Sequence, residues 1–287
     1  MNYKKATQLF VLAIVILTVL VLVLPDIGRK IIPASVKESI RTVLEIEPIT
    51  KIEMDTVLVE RLGRETVANV YIRGNGIEIG ALHLPTKVPE TANVKYLDIL
   101  PLDELKKHYP DLLEEYELVN VDIVDDGEYL VKIGDNTQDF VIANHFLEHC
   151  QNPIVAVENM LRVLKPGGIL FMSVPDMRYT FDIDRPVTTF EHLLDHYKNG
   201  PGWLKKEHYE EWVRMVNRTT DEEDVKEQVA HLMNMNYSIH FHVWSQIEIN
   251  DFIIRLKTEM NFKFNLELMV QTQERENEVV FILKKIL

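Results

Sequence analysis

Between residues 74 and 175 short apolar runs alternate with amphipathic stretches. "GIEIGA" is an apolar run closed by Gly80, and "NVKYLDIL" is a second that ends near Asp98. "LVNVDIV" (118–124), "DFVIAN" (139–144) and "ILFMSVP" (169–175) continue the series. Such short runs, bounded by Gly, Pro and Asp, read as strands. Between them, "LDELKKHYPDLLEEY" reads as a helix or helix-turn. "PIVAVENMLRVL" places Ile154, Val157, Leu161 and Leu164 on one helix face before "KPGG" stops it. Strands alternating with helices predict an α/β fold with a mostly parallel sheet covered on both faces. Residues 176–240 break this rhythm with polar, aromatic, His- and Trp-containing sequence, and predict a helical and aromatic insertion after strand five. The regular pattern resumes with the helical "SQIEINDFIIRLKTEM". "FNLELMV" and "NEVVFILKKI" then predict a C-terminal antiparallel hairpin about the polar "QTQERE". Upstream, residues 51–73 are mixed and read as strands leading into the core.

The N-terminus follows a different pattern. Residues 9–24 carry no charge, and Thr18 is their single polar side chain. As a helix this run spans about 24 Å, slightly short of a hydrocarbon core. No small-residue cleavage site follows it, so an uncleaved N-terminal transmembrane helix is expected rather than a signal peptide. Lys4 and Lys5 on one side and Arg29 and Lys30 on the other leave its orientation undecided by charge. "PASVKESIRTVLEIEP" reads as a juxtamembrane helix, with Ser35 as cap and Glu38 three residues on. The chain thus divides into a membrane anchor (1–30), a juxtamembrane helix and lead-in (31–73), and a main domain (74–287) with its insertion.

The net charge of −14 argues against a nucleic-acid partner, because an acidic surface repels phosphate backbones. One cysteine, Cys150, rules out an intramolecular disulfide and a Cys-rich zinc module. His145, Glu148 and His149 spell H-x-x-E-H, the short zinc-hydrolase pattern. In that pattern both histidines share one helix. Here His145 follows directly on a strand, so no metal and no zinc dependence are expected. Gly74, Gly76 and Gly80 precede or end a strand, whereas a dinucleotide fingerprint follows one. In an open α/β sheet ligands bind at the carboxyl ends of the strands. Those ends carry Glu78 and Gly80, Asp98, Asp125 to Gly127, Asn144 and His145, and Pro175 to Arg178. The resulting cleft is acid-lined. It suits a ligand with ribose hydroxyls, an amine and a positive charge.

The sequence resembles the class I S-adenosylmethionine-dependent methyltransferases, specifically the small-molecule type 11 group, from about residue 76 to 175. The most specific stretch is "QDFVIANHFLEHCQNPIVAVENMLRVLKPGGILFMSVPD", with its L-E-H and its R-V-L-K-P-G-G before strand five. "GIEIGALHLP" stands where the family's glycine-rich motif belongs. Gly80 is kept, and Leu82 and Leu84 occupy the other usual glycine positions. The resemblance implies a Rossmann-like sheet and S-adenosylmethionine as cofactor. It implies that Glu78 and Gly80 sit near the cofactor's amino-acid half, that Asp98 takes the ribose hydroxyls and that Asp126 and Gly127 flank the adenine. Asn144 and His145 would then stand beside the reactive methyl.

Substrate contacts are expected from the insertion, with Arg178, Arg185, His240 and His242 as candidates. A hydroxyl acceptor needs a base, for which His145 and His192, with His240 and His242, are candidates, because histidine titrates near neutral pH. The expected function is methyl transfer to a polar small molecule or sugar-like acceptor. The alternatives are a catalytically silent Rossmann-like binding protein and, less favoured, an H-x-x-E-H zinc hydrolase. Because S-adenosylmethionine is a charged cytosolic metabolite, a membrane-anchored enzyme is expected to face the cytosol.

Overall fold

The computed structural model describes residues 63–200, 205–272 and 277–287. The apolar run 9–24 and the juxtamembrane sequence lie outside the described residues. Among the described residues no helix is long and apolar enough to cross a membrane.

A seven-stranded sheet forms the centre of the fold, in the order β3-β2-β1-β4-β5-β7-β6. The strands are β1 (Gly74–Ile79), β2 (Ala92–Asp98), β3 (Ile123–Val124), β4 (Gln138–Asn144), β5 (Leu164–Pro175), β6 (Phe264–Gln271) and β7 (Glu278–Lys285). Strands β1 to β5 are parallel, and β7 runs antiparallel between β5 and β6. The expected mostly parallel sheet with a terminal hairpin is therefore present.

Burial on both faces explains the near-continuous apolar strands. In β4, Val141 and Ala143 face one core, while Phe140 and Ile142 face the other. Alternation continues in β7, where Phe281 and Leu283 share the first core and Val280 and Ile282 the second. The first core is covered by α3 (Pro153–Val163), α4 (Phe190–Asn199) and α7 (Gln246–Thr258), through residues such as Val157, Leu193 and Phe252. The second is covered by α1 (Arg64–Tyr71), through Val67 and Ala68 together with Ile72.

The structure differs from the sequence expectations in three places. The described part of the lead-in is the helix α1 rather than strands. Its apolar residues at 67, 68 and 71 suit one helix face, and its amphipathic stretch is only eight residues long. The strand expected over 118–124 shrinks to β3, because only Ile123 and Val124 find partners on β2. Upstream of it, Val119 N donates to Leu82 O, away from the sheet. Finally, β5 begins at Leu164 instead of Ile169. "KPGG" forms an irregularity between the pairs Gln138–Leu164 and Phe140–Ile169.

The insertion is helical, as expected. It contains α4, α5 (Lys205–Met215) and α6 (Glu222–Met235), after α2 (Leu102–His108) earlier in the chain. Tyr209, Val213, Val225, Val229, Ile239 and Phe241 give it a small core of its own.

Candidate active site

The carboxyl ends of β1 and β4 open onto a cavity of about 260 Å³. Gly80, Leu82, His83, Asn144, His145 and His149 are among its lining residues. Gly80 has φ +65°, and no atom lies within 4 Å of where a Cβ would stand. The backbone here is open to close approach by a ligand. Two residues on, Leu82 adopts φ 49°, a left-handed conformation that a branched side chain takes only under constraint. The constraint comes from its carbonyl, which accepts from Val119 N at 2.8 Å.

Glu78 holds this loop in place. Its buried carboxylate accepts from Thr86 N at 3.0 Å and from Thr86 Oγ1 at 2.7 Å. Burial raises the pKa of Glu78 even against these donors. Thr86 Oγ1 in turn accepts from Asn144 Nδ2 at 2.7 Å. The second Asn144 group, Oδ1, is a buried acceptor with no hydrogen-bond partner. Such an orphan beside an open backbone is the donor-seeking feature that a ligand amine or hydroxyl would satisfy.

Asp98 ends β2, half-buried, with Leu100 N at 3.5 Å from Oδ1. Burial raises its pKa. Asp126 Oδ1 accepts from Glu128 N at 2.9 Å. Gly127 serves close packing, since a Cβ there would come within 2.6 Å of Ile79 Cγ2 and of the Phe146 ring. Asp98, Asp126 and Gly127 flank the cavity at the strand ends and are not among its lining residues.

His145 leaves β4 with φ 46°, and its Nε2 lies 2.9 Å from Glu278 Oε2. Arg64 clamps the same buried carboxylate, with Nε at 2.6 Å from Oε1 and a second guanidinium nitrogen on Oε2. Burial alone would lower the His145 pKa. The bond to Glu278 and the charge of Glu148 outweigh it, so the net shift is upward. Burial alone would raise Glu278, but His145 and Arg64 bring it down to about 2. His145 thus holds its proton more firmly than an ordinary imidazole.

The neighbouring His149 has the opposite character. Burial lowers its pKa despite the charge of Glu148. Its Nδ1 lies 3.0 Å from Ile239 O and 3.0 Å from Ser238 Oγ; donation of the Nδ1 proton to the carbonyl, which can only accept, leaves Nε2 with a lone pair. The His149 and His240 rings meet edge to face at 4.7 Å between centroids. Ligand atoms of Glu148, His149 and His240 all fall within 4.8 Å of one another. Both Glu148 carboxylate oxygens are buried without hydrogen-bond partners.

His240 is oriented by Asp182, whose Oδ2 lies 2.6 Å from Nδ1. Arg185 holds this pair, donating to Asp182 Oδ1 at 2.7 Å, to His240 O at 2.9 Å and to Glu211 at 2.8 Å. Burial would raise Asp182, but His240 and Arg185 keep its pKa below the usual carboxylate value.

The other expected residues stand elsewhere. Arg185 is buried and acts on Asp182 and His240. Arg178 lies on the surface, paired with the buried Asp176 at 2.5 Å. His192 and His242 pack against the insertion's His196 and His208. His149, Thr86 and Glu278 were not read as site residues from the sequence. For His149 a signal existed in the H-x-x-E-H pattern. For Glu278, some 133 residues from His145 in the chain, there was none.

Residues 74–172 match the model of the methyltransferase domain family. The chain carries a class I S-adenosylmethionine-dependent methyltransferase domain. Its cofactor is S-adenosylmethionine. No curated protein matches the chain in sequence. Among solved structures, a protein from Rhodobacter sphaeroides named as one of the Zn-dependent alcohol dehydrogenases is 15% identical, with TM-score 0.47, covering 80% of this chain and 93% of its own. A SAM-dependent methyltransferase from Methanosarcina mazei is 16% identical, with TM-score 0.39, covering 75% and 93%. The N-methyltransferase NodS from Bradyrhizobium japonicum in complex with S-adenosyl-L-homocysteine is 14% identical, with TM-score 0.38, covering 75% and 79%. Likeness at this level says nothing of the reaction. The methyltransferase site must be read from its own residues.

Those residues fit the cofactor. Gly80 offers open backbone, Asn144 a buried acceptor seeking a donor, and Asp98 a carboxylate met only by backbone donors of its own turn, Leu100 N at 3.5 Å. All three stand at the carboxyl ends of adjacent parallel strands, where ligands of such sheets bind.

Proposed function

We propose that the protein transfers a methyl group from S-adenosylmethionine to a hydroxyl of a polar, sugar-like small molecule, with His149 as general base. The observation that supports this reading is the place of His149 at the cavity wall beside Gly80 and Asn144, with its ring edge to face on the Asp182-bound His240. The cofactor, when bound, supplies an electrophilic methyl on a sulfonium. This chain's residues bind, orient and deprotonate. Gly80, Asn144 and Asp98 would hold the cofactor. His149 Nε2 would take the acceptor's proton. Asp182 would orient His240, whose ring packs edge to face on His149 and helps to position it. His145, drawn towards imidazolium by Glu278, would position the end of β4 and need not exchange a proton. Most of the rate gain would come from alignment, because the displacement is in-line.

The test combines calorimetry with S-adenosylhomocysteine and a labelled-methyl assay over hydroxylated acceptors. Micromolar binding with label transferred to an acceptor oxygen supports the reading. The conformation of Leu82 favours a second one, a silent binding protein, since the loop after β1 is held by the protein's own contacts. Absence of binding at millimolar ligand would select that alternative.

The proposal extends to location: residues 9–24 anchor the chain in a membrane and the methyltransferase domain faces the cytosol, where its charged cofactor is made. Protease added to intact cells should leave the domain uncut until the membrane is permeabilised. Cleavage from outside would overturn this placement.

A further inference from the structure

Three histidines of the insertion converge, and a fourth from the segment just after it packs against them. His192 and His196 lie one turn apart on α4, His208 lies on α5, and His242 lies in the stretch that precedes α7. Ring centroids are 4.3 Å apart for His192 and His196, 5.4 Å for His196 and His208, and 5.1 Å for His208 and His242. The ligand nitrogens of His192, His196 and His208 all lie within 4.8 Å of one another. His196 and His242 are fully buried, His208 is nearly so and His192 is half-buried.

Their inward nitrogens lack partners. His196 Nε2, His208 Nε2 and His242 Nδ1 are buried without any hydrogen bond. A buried polar atom in that condition is costly to a fold, and three facing one another compound the cost. Protonation would not relieve it, because adjacent imidazolium charges repel.

The outward nitrogens, by contrast, are committed. Gln151 O lies 3.1 Å from His196 Nδ1 and 3.5 Å from His242 Nε2. Both nitrogens therefore donate their N–H to one carbonyl, and both lone pairs sit on the inward nitrogens. Gln151 is itself held by the buried Glu128, whose Oε1 accepts from Gln151 N at 2.5 Å and whose Oε2 accepts from Asn152 N at 3.1 Å. A fixed carbonyl that sets the tautomer of inward-facing imidazoles is the outer shell expected around a metal ion.

We propose that His192, His196, His208 and His242 bind one divalent transition-metal ion, with zinc the best fit, and that this ion staples α4, α5 and the His242 segment to the loop after β4. Four imidazoles suit zinc and its neighbours, and the lack of a carboxylate among the four speaks against calcium or magnesium. Four protein ligands leave no open position, so the ion is structural. The group Glu148, His149 and His240 is the competing location, so the experiment must separate the two.

The full-length protein, stripped with EDTA, is titrated with Zn²⁺, and with Co²⁺ as a coloured probe. The expected result is one tight equivalent per chain, the intense visible absorption of tetrahedral Co²⁺, and a rise in Tm on metal addition. His192→Asn and His208→Asn should each weaken binding by about a hundredfold or more. His149→Asn should keep the equivalent. If His242→Asn fails to fold, the half-exposed His192→Asn still decides. Absence of Co²⁺ absorption at excess metal, or an equivalent retained in the His192→Asn/His208→Asn double variant, would overturn the proposal. An equivalent lost in His149→Asn alone would move the ion to the cavity wall and equally sink it. None of these readouts depends on methyl transfer.

Discussion

Asp98 and His149 carry opposite halves of the proposed chemistry, and each can be removed separately. The Asp98 carboxylate is met by the backbone donors of Ile99 and Leu100 in its own turn, Leu100 N at 3.5 Å, so its loss leaves little unpaired in the protein. Asp98→Ala is expected to weaken S-adenosylhomocysteine binding about 10–100-fold, in line with about 1.5–3 kcal/mol for a hydrogen bond to a charged group. Its Tm should barely move. Calorimetry showing unchanged affinity would take Asp98 out of the site. His149 should affect turnover instead. His149→Ala is expected to lower kcat by about 10²–10⁴-fold while cofactor affinity stays within a few-fold. The pH dependence has a definite sign. A base works when neutral, and burial has lowered the His149 pKa below 6.5. Activity should therefore be on its plateau at neutral pH and fall only on the acid side of 6.5. A profile whose acid limb falls above 6.5 would point to a different base.

The triad of Arg64, Glu278 and His145 joins three elements: α1, the first residue of β7 and the end of β4. Its contribution to stability depends on pH in two directions. Glu278 is depressed from 4.5 to about 2, so its contribution is complete above about 4.5 and is lost as pH falls from there towards 2. A shift of that size in a buried carboxylate corresponds to about 3 kcal/mol. His145 is raised, so its share is complete below 6.5 and is lost as pH rises through its folded value. Glu278→Gln should accordingly lower Tm most between about pH 4.5 and 6.5, and the gap to the native protein should narrow below that window. Equal Tm values across the window would show the triad to be energetically idle.

Much of this level was legible beforehand. The paired apolar runs marked β1, β2, β4, β5 and the hairpin, because burial on both sheet faces demands them. The edge strand β3 was overread, since an edge needs no long apolar run and its extent depends on a partner that sequence does not name. The helix α1 was misread, because eight residues give barely two turns of periodicity. Strand ends were legible too, which is why Glu78, Gly80, Asp98 and Asn144 could be proposed from position alone. The pairings that give them roles were not. Glu78 with Thr86 is a loop closure, and His145 with Glu278 and His240 with Asp182 bridge 133 and 58 residues. The four-histidine cluster draws on three segments without any regular ligand spacing between them.

Taken together, the cofactor half and the insertion are held by different interactions. Glu78, Thr86 and Asn144 fix the loop after β1 without help from the insertion. The insertion is secured to the domain by Glu148 O, which accepts from Phe241 N at 2.8 Å, and by Asn152 Nδ2, which donates to His196 O at 3.1 Å, while the buried network of Asp182, Arg185, His240 and Glu211 braces it internally. Arg185 is the hub of that network, with its side chain 1% exposed, and it also lies over the Trp212 ring at 5.6 Å. Arg185→Met keeps the bulk of the side chain but leaves Asp182 as a buried carboxylate with His240 as its remaining charge partner. Breaking a buried pair from one side costs about 3–5 kcal/mol. The variant should therefore show a lower Tm and loss of methyl transfer, because His240 loses its orientation. S-adenosylhomocysteine affinity at a temperature below the new Tm should stay within a few-fold of the native value. The independence of the two halves thus turns on a comparison of calorimetric Kd with kcat in one variant. A Kd that weakens in step with kcat would show that the insertion is needed to build the cofactor site as well as to position the base.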